Sequence, residues 1–203
     1  MLIHANFPLS TVNGPGNRAV VWFQGCTLAC EQCWNVQSHV FASDRARPVR
    51  EIGDWVLSCK DIEGVTFSGG EPLQQASNLL RLCVYLKSKR PALSLGVFSG
   101  YTLQELETGR WKFTAGASGI WRNGDARLFA AIKGCLDFGV FGRFNRHMAC
   151  TDKPLCGSRN QNVVFFTDRY SEHDLEAQGF EINIAASGEL VTITGFPPQS
   201  HSL

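Results

Sequence analysis

Ala19-Val20-Val21-Trp22-Phe23-Gln24-Gly25-Cys26-Thr27-Leu28-Ala29-Cys30-Glu31-Gln32-Cys33-Trp34-Asn35 is the stretch that decides the fold. Its first five residues form a continuous apolar run, the pattern of a strand buried on both faces. The run ends at Gly25, and three cysteines follow at once with the spacing C-x3-C-x2-C. A strand that empties into a cluster of metal-type ligands places those ligands at the C-terminal end of a sheet.

Working outward, Asn13-Gly14-Pro15-Gly16-Asn17 before the strand is a dense turn signal. After the cysteines, residues 41–50 read as loop. Glu51 to Lys60 carries Ile52, Trp55, Val56 and Cys59 at helical spacing. Gly64 to Phe67 is a second short strand, running into Ser68-Gly69-Gly70-Glu71-Pro72. A helix follows from Leu73 to Arg90, with a stripe of Leu79, Leu80, Leu82, Cys83 and Leu86 that Pro91 stops. Leu93 to Phe98 is a third strand, ending at Ser99-Gly100. A short helix starts at Thr102, and glycines at 109, 116 and 119 leave residues 108–120 without a clear element. Asp125 to Lys133 reads as helix, Leu136 to Phe141 as strand, 145–160 as polar loop, Asn162 to Phe166 as strand and Glu172 to Gln178 as a brief helix. Glu181 to Ala186 and Glu189 to Thr194 flank Ser187-Gly188 as a terminal hairpin. Alternating strands and helices predict an α/β fold with a parallel sheet, in a single domain spanning 1–203.

Composition narrows the function. The 203 residues are 44% hydrophobic and 18% charged, with net charge +1. That is enough apolar material for a core, and no basic block points to nucleic acid or an anionic membrane. No export signal is readable, and no apolar run approaches the ~20 residues of a membrane helix. The expected location is the cytoplasm, where eight cysteines are not a disulfide framework. Clustered cysteines there read as metal ligands and scattered ones as small core residues. Cys59 and Cys83 fall on apolar helix positions; Cys150 and Cys156 share a loop and are left between metal binding and pairing.

Three thiolates on one short loop reach three corners of a [4Fe–4S] cubane and leave one iron open. An open position is what separates a catalytic metal site from a structural one. Zinc held by the same thiolates with His39 as fourth ligand is the competing reading, and would make the chain a binding module without catalysis. Ser68-Gly69-Gly70-Glu71-Pro72 has its own bland reading, a tight turn in which two glycines admit close backbone approach and Pro72 opens a helix. It is not a Walker loop, because no Gly-Lys-Ser/Thr follows.

Together the two motifs resemble the radical S-adenosylmethionine (SAM) superfamily. Asn13-Gly14-Pro15-Gly16-Asn17-Arg18, followed by Gln24-Gly25-Cys26, is more narrowly similar to the activating proteins of glycyl radical enzymes, above all those of anaerobic ribonucleotide reductase and of pyruvate formate-lyase. The resemblance implies a (β/α)6-type incomplete parallel barrel, with a C-terminal β-hairpin. It implies a [4Fe–4S] cluster on Cys26, Cys30 and Cys33. It implies SAM contacts from Gln32, Cys33, Trp34, Gly69, Gly70, Glu71, Ser99 and Arg143. Backbone carbonyls and the Glu71 carboxylate would accept from the SAM ammonium, and Arg143, in Gly142-Arg143-Phe144, would pair with its carboxylate. Relatives carry an aromatic residue just before the third cysteine; here that residue is Gln32, and Trp34 comes just after. Leu155-Cys156-Gly157-Ser158-Arg159-Asn160-Gln161 resembles a run of the same proteins, with Cys156 at a usually basic position and no role assigned to each residue.

The implied chemistry is reductive cleavage of SAM to a 5′-deoxyadenosyl radical, with the electron from a low-potential donor such as flavodoxin. The radical takes one hydrogen atom from a backbone glycine of a partner enzyme. The alternative within the superfamily is a peptide or small heterocyclic substrate; the Gln-Gly-Glu-Gly segment of deazaguanine-forming relatives is absent.

Overall fold

The computed structural model describes residues 1–114, 120–176, 179–184 and 191–196. In chain order the elements are β1 (Ile3–Ser10), β2 (Arg18–Phe23), α1 (Val49–Ser58), β3 (Gly64–Gly69), α2 (Ala76–Lys89), β4 (Ser94–Ser99), α3 (Leu103–Glu107), β5 (Lys112–Thr114), β6 (Trp121–Asn123), α4 (Ala126–Lys133), β7 (Phe138–Phe141), β8 (Asn162–Phe165), β9 (Phe180–Ile184) and β10 (Val191–Gly195). Among the described residues the main sheet has six strands in the order β1-β2-β3-β4-β7-β8. β2, β3, β4 and β7 run parallel. β1 and β8 flank them antiparallel. The α/β class with a mostly parallel sheet is as expected; among the described residues four strands are parallel, where a (β/α)6-type barrel has six. β8 returns from the 145–161 segment, which holds one 3-10 turn and no α-helix, and a parallel pairing needs a crossover.

β1 is absent from the reading of the sequence. Its residues, Ile3-His4-Ala5-Asn6-Phe7-Pro8-Leu9-Ser10, do not alternate cleanly, and its pairing with β2 is broken by two register shifts. Pro8 is tolerated because an edge strand need not donate outward. Within the stretch left without a clear element, Lys112–Thr114 forms β5 and pairs antiparallel with β6, Trp121–Asn123. The terminal hairpin is present as β9–β10, with Ile182 opposite Ile193; the Ser187-Gly188 turn lies outside the described residues. The expected helix at 172–178 is one 3-10 turn, Glu172–Asp174.

Strand alternation divides the sheet into two faces. Ala19, Val21, Phe23, Val65, Phe67, Leu95, Val97 and Phe141 face the core formed with α1, α2 and α4. Cys83 is buried in that core, as its position on the α2 stripe predicted. The opposite parity, Arg18, Val20, Trp22, Thr66, Ser68, Phe98, Phe138 and Val140, faces away from the helices. Both faces of β2 are therefore covered.

Arg18 is fully buried on that second face. Its Nε donates to Thr66 Oγ1 (2.7 Å), its Nη1 to the Pro15 carbonyl (3.0 Å), and its Nη2 to the carbonyls of Val65 (2.9 Å) and Ser94 (3.3 Å). The guanidinium lies 4.8 Å from the centroid of the Phe138 ring. Burial brings its pKa down to about 10, so the group remains a cation at neutral pH. Gly64 makes the room: a Cβ there would stand 2.6 Å from Arg18 Nη2. The Asn13–Arg18 segment is thus anchored beneath the sheet.

Candidate active site

The C-terminal ends of β2, β3, β4 and β7 open onto one cavity of about 410 Å³. Cys26, Cys30 and Cys33 line it, with Trp34, Gly69, Gly70, Glu71 and Ser99. These eight expected residues are delivered by the ends of three strands, β2, β3 and β4.

The cysteine loop is held by hydrogen bonds that its own sequence does not show. Gln75 Nε2 donates to the Gln24 carbonyl (2.9 Å), and Gln74 exchanges two bonds with Thr27, at 3.0 and 2.8 Å. Gln24 Nε2 donates to the Val40 carbonyl at 2.6 Å, closing the segment after the cysteines back on the strand end. Gln74 and Gln75 are wholly buried. Two adjacent uncharged polar residues at the start of an apolar helix were the available signal.

The glycine pair is explained by the same junction. The Gly70 amide donates to the Phe23 carbonyl (2.8 Å) and the Glu71 amide to the Gly25 carbonyl (2.9 Å). A Cβ on Gly70 would stand 2.5 Å from the Gly25 oxygen, and Gly69 adopts φ +101° against the Phe23 backbone. The turn therefore locks the cysteine loop as well as facing the cavity.

Glu71 departs from expectation. It is buried, and its carboxylate accepts from the Leu73 amide (2.9 Å), Ser99 Oγ (2.9 Å) and the Gly100 amide (2.7 Å). Three of its roughly four acceptor positions are thus used, one to cap the turn at Leu73 and two to tie β3 to the end of β4, leaving at most one for a ligand ammonium. Burial pushes its pKa up to about 7 against the pull of those donors. Ser99 lines the cavity, with its hydroxyl committed to Glu71.

Two expected contacts fall outside the cavity. Gln32 is exposed, with its backbone at φ +55°; that left-handed turn directs the residue outward and brings Cys33 and Trp34 to the cavity. Arg143 forms a two-pronged ion pair with Glu105 on α3, at 2.9 and 3.0 Å, with its guanidinium over the Tyr101 ring. Glu105 was not singled out in the sequence. Its pKa is raised by burial but lowered on balance by hydrogen bonds from Arg143 and Thr102.

Trp34 packs between Phe144 (5.6 Å between centroids) and Phe196 (5.5 Å), and its buried Nε1 has no hydrogen-bond partner. A Cβ on Gly157 would stand 3.3 Å from both the Trp34 and the Phe144 rings. The Leu155–Gln161 run thereby acquires a role. Gln161 Nε2 donates to the Gly142 carbonyl (3.0 Å) and Asn160 Nδ2 to the Arg143 carbonyl (2.8 Å), fastening this loop to the end of β7.

Burial pushes the Cys26 thiol up to about 12 and raises Cys30 and Cys33 as well. Without cationic compensation these groups stay protonated, so thiolate formation is linked to metal binding. Among the described residues no three His, Cys, Asp or Glu side chains converge on one ion-sized point. Zinc draws four ligands to within ~2.3 Å of a single centre. A cubane spreads its thiolates over separate irons, and three cysteines around a cavity wall are a donor set that it can take.

Residues 12–164 match the family model described as 4Fe-4S single cluster domain. The anaerobic ribonucleoside-triphosphate reductase-activating protein of Escherichia coli K12 is 30% identical over 112 residues, 52% of this chain and 73% of the relative. The chain belongs to the radical SAM activating proteins of glycyl radical enzymes. Another member of that family, the anaerobic ribonucleoside-triphosphate reductase-activating protein of Vibrio cholerae, is 29% identical over 174 residues, 82% of this chain and 99% of the relative. The pyruvate formate-lyase-activating enzyme of Listeria monocytogenes is 33% identical over 91 residues, 42% of this chain and 37% of the relative. The crystal structure of QueE from Escherichia coli aligns with half of the chain at 18% identity and TM-score 0.38, a likeness too slight to bear on fold or function. Among the described residues no helix is long and apolar enough to cross a membrane.

Proposed function

We propose that this protein is a radical SAM activase that installs a glycyl radical on a partner enzyme of the anaerobic ribonucleotide reductase type. The observation that carries the reading is the meeting of Cys26, Cys30, Cys33 and the Gly69-Gly70-Glu71 turn on one cavity at the strand ends. Cys26, Cys30 and Cys33 would hold a [4Fe–4S] cluster. When bound, that cluster supplies a low-potential electron and an iron without a protein ligand, the requirements for cleaving SAM to methionine and a 5′-deoxyadenosyl radical.

The chain's own residues supply position and shelter. Gly69 and Gly70 let the backbone of one turn lie against the cysteine loop, and their carbonyl groups serve a ligand ammonium. Glu71 fixes Ser99 and Gly100 at the next strand end. Trp34, Phe144, Phe196 and Phe98 form an aromatic wall that keeps water from a reactive intermediate. No general base is required, because the step moved is a hydrogen atom. The whole chain works as one domain in the cytoplasm, its sheet acting as an incomplete barrel, with a flavodoxin-type protein as electron donor.

Anaerobic reconstitution with iron and sulfide, followed by reduction with SAM and a candidate glycyl radical enzyme, tests the reading. The expected result is a brown protein, 5′-deoxyadenosine, and a glycyl signal by electron paramagnetic resonance. A colourless, zinc-loaded native protein that forms no 5′-deoxyadenosine overturns it. Cleavage of SAM with no glycyl signal on any such enzyme retains the cofactor chemistry and overturns the substrate.

A further inference from the structure

We infer that the rim of the cavity is an uncharged apolar docking surface for the glycine-bearing partner protein, built from Val36 and Val40 on one side and from Ile182 and Ile193 on the other. The inference rests on the proposed activase function and adds where, and by what chemistry, the partner is held.

Exposed large apolar side chains are unevenly spread on this molecule. Val36 is 64% exposed, Val40 70%, Ile182 56% and Ile193 54%. Val36 lies between Asn35 and Gln37, and Val40 follows His39; those three neighbours line the cavity. Ile193 lines it as well, and Ile182 is its cross-strand partner. Ile120, 63% exposed, adjoins Trp121, whose ring meets that of Phe41 beside Val40 (5.4 Å). Among the described residues, Val84 on α2 is the other large apolar side chain exposed by more than half. Scattered singly, such residues need no explanation; gathered at a site's mouth, they mark an interaction surface.

The charge pattern selects the partner. Residues 34–42, Trp-Asn-Val-Gln-Ser-His-Val-Phe-Ala, contain no Asp, Glu, Lys or Arg. In the described part of the hairpin the one acid, Glu181, accepts from the Thr11 amide and hydroxyl. Along these two segments a small, highly charged substrate would find no free Asp, Glu, Lys or Arg, and Arg143, between the lining residues Gly142 and Phe144, is already paired with Glu105. A backbone glycine has no side chain to recognise, so a protein that offers one must be held by what surrounds it. A loop long enough to enter the cavity brings the flanking surface of its protein over Val36, Val40, Ile182 and Ile193. The complement is therefore an uncharged apolar protein face around the glycine loop.

The test uses the holoenzyme and the full-length glycyl radical enzyme that it activates. The variants are Val36→Glu with Val40→Glu, and separately Ile182→Glu, with Val84→Glu as control. Each rim variant should raise the partner concentration giving half-maximal radical yield by about tenfold or more, the scale of a lost interface anchor. Melting temperature and partner-free 5′-deoxyadenosine formation should stay at the parent values for the Val36/Val40 variant. The control should match the parent throughout. If the parent puts no radical on the partner, the activase function fails and the docking surface with it. If the parent activates and both rim variants do so with unchanged half-saturation, the docking surface alone is refuted. Sedimentation that shows a parent dimer broken by the Val36/Val40 variant would assign the rim to self-association and overturn the proposal.

Discussion

Replacing Gly70 with alanine should loosen the whole site from a distance of one methyl group. The new Cβ would stand 2.5 Å from the Gly25 oxygen, 2.9 Å from its carbonyl carbon and 3.0 Å from its nitrogen. All three are backbone atoms, so no side-chain rotation relieves the clash. Restoring an ordinary carbon–oxygen contact of about 3.3 Å requires the turn and the cysteine loop to separate by nearly 1 Å. The Glu71 amide bond to Gly25, now 2.9 Å, then exceeds hydrogen-bonding distance. Overpacking of this kind costs about 1–3 kcal/mol, and the lost bond about 1 kcal/mol more. At about 2–4 °C per kcal/mol for a chain of this size, the melting temperature should fall by roughly 5–15 °C. Gly134→Ala is the matched control. Gly134 has φ −64° at the end of α4, and its nearest contacts to an added Cβ are 3.4 and 3.7 Å. That variant should be neutral or stabilised by about 0.4–1 kcal/mol. Thermal unfolding followed by circular dichroism, with iron content after reconstitution, reads both effects. A Gly70→Ala protein that melts within 1 °C of the parent and takes up iron normally would refute the interlocking of the two loops.

Single alanine substitutions of Cys26, Cys30 or Cys33 should each abolish the visible absorption of the reconstituted cluster, whereas Cys59→Ala should retain it; iron and sulfide analysis checks this, and retention of a full cluster by any of the three would sink the ligand assignment. Arg18→Met keeps much of the volume but leaves the carbonyls of Pro15, Val65 and Ser94 without their donor. Relief of the buried charge offsets part of that loss, and the net expectation is about 2–4 kcal/mol of destabilisation in urea; a variant as stable as the parent contradicts it. Glu105→Gln should cost no more than about 1 kcal/mol, because the ion pair with Arg143 is partly exposed and screened. Glu105 has its folded pKa depressed, so its contribution is present above the usual carboxylate range and is lost as pH falls through the folded value. The stability difference between parent and Glu105→Gln should therefore vanish toward acid, and a difference that grows there counts against the pair.

The cysteine loop, the Gly-Gly-Glu turn and the parallel strands were legible because each is a local pattern. Ligands on one loop leave a spacing, a βα turn leaves glycines, and a strand buried on both faces leaves an unbroken apolar run. β1 was not legible, since an edge strand with Pro8 and two register shifts carries no clean period. Partnerships between long polar side chains were also hidden. Arg143 meets Glu105 across 38 positions, and Gln75 reaches Gln24 across 51; neither separation repeats along the chain. Glu71 lines the cavity, but two of its three donors, Ser99 and Gly100, come from the end of another strand, and a sequence motif does not report how many lone pairs are already taken. The offset of Trp34 from the expected aromatic position was visible, while the left-handed backbone at Gln32 that makes it workable is a property of the folded loop.

The side chains that fasten the cysteine loop to its neighbours, Gln24, Gln74, Gln75 and Thr27, are amides and a hydroxyl. None of them titrates, and none is weakened by dissolved ions as an exposed ion pair would be. Salt would loosen the loop at Glu31, whose ion pair with Arg146 is exposed, while the amides hold the rest of it in place. Amide fastenings of this kind add no net charge beside the three cysteines, so the loop is made rigid without changing the charge around them.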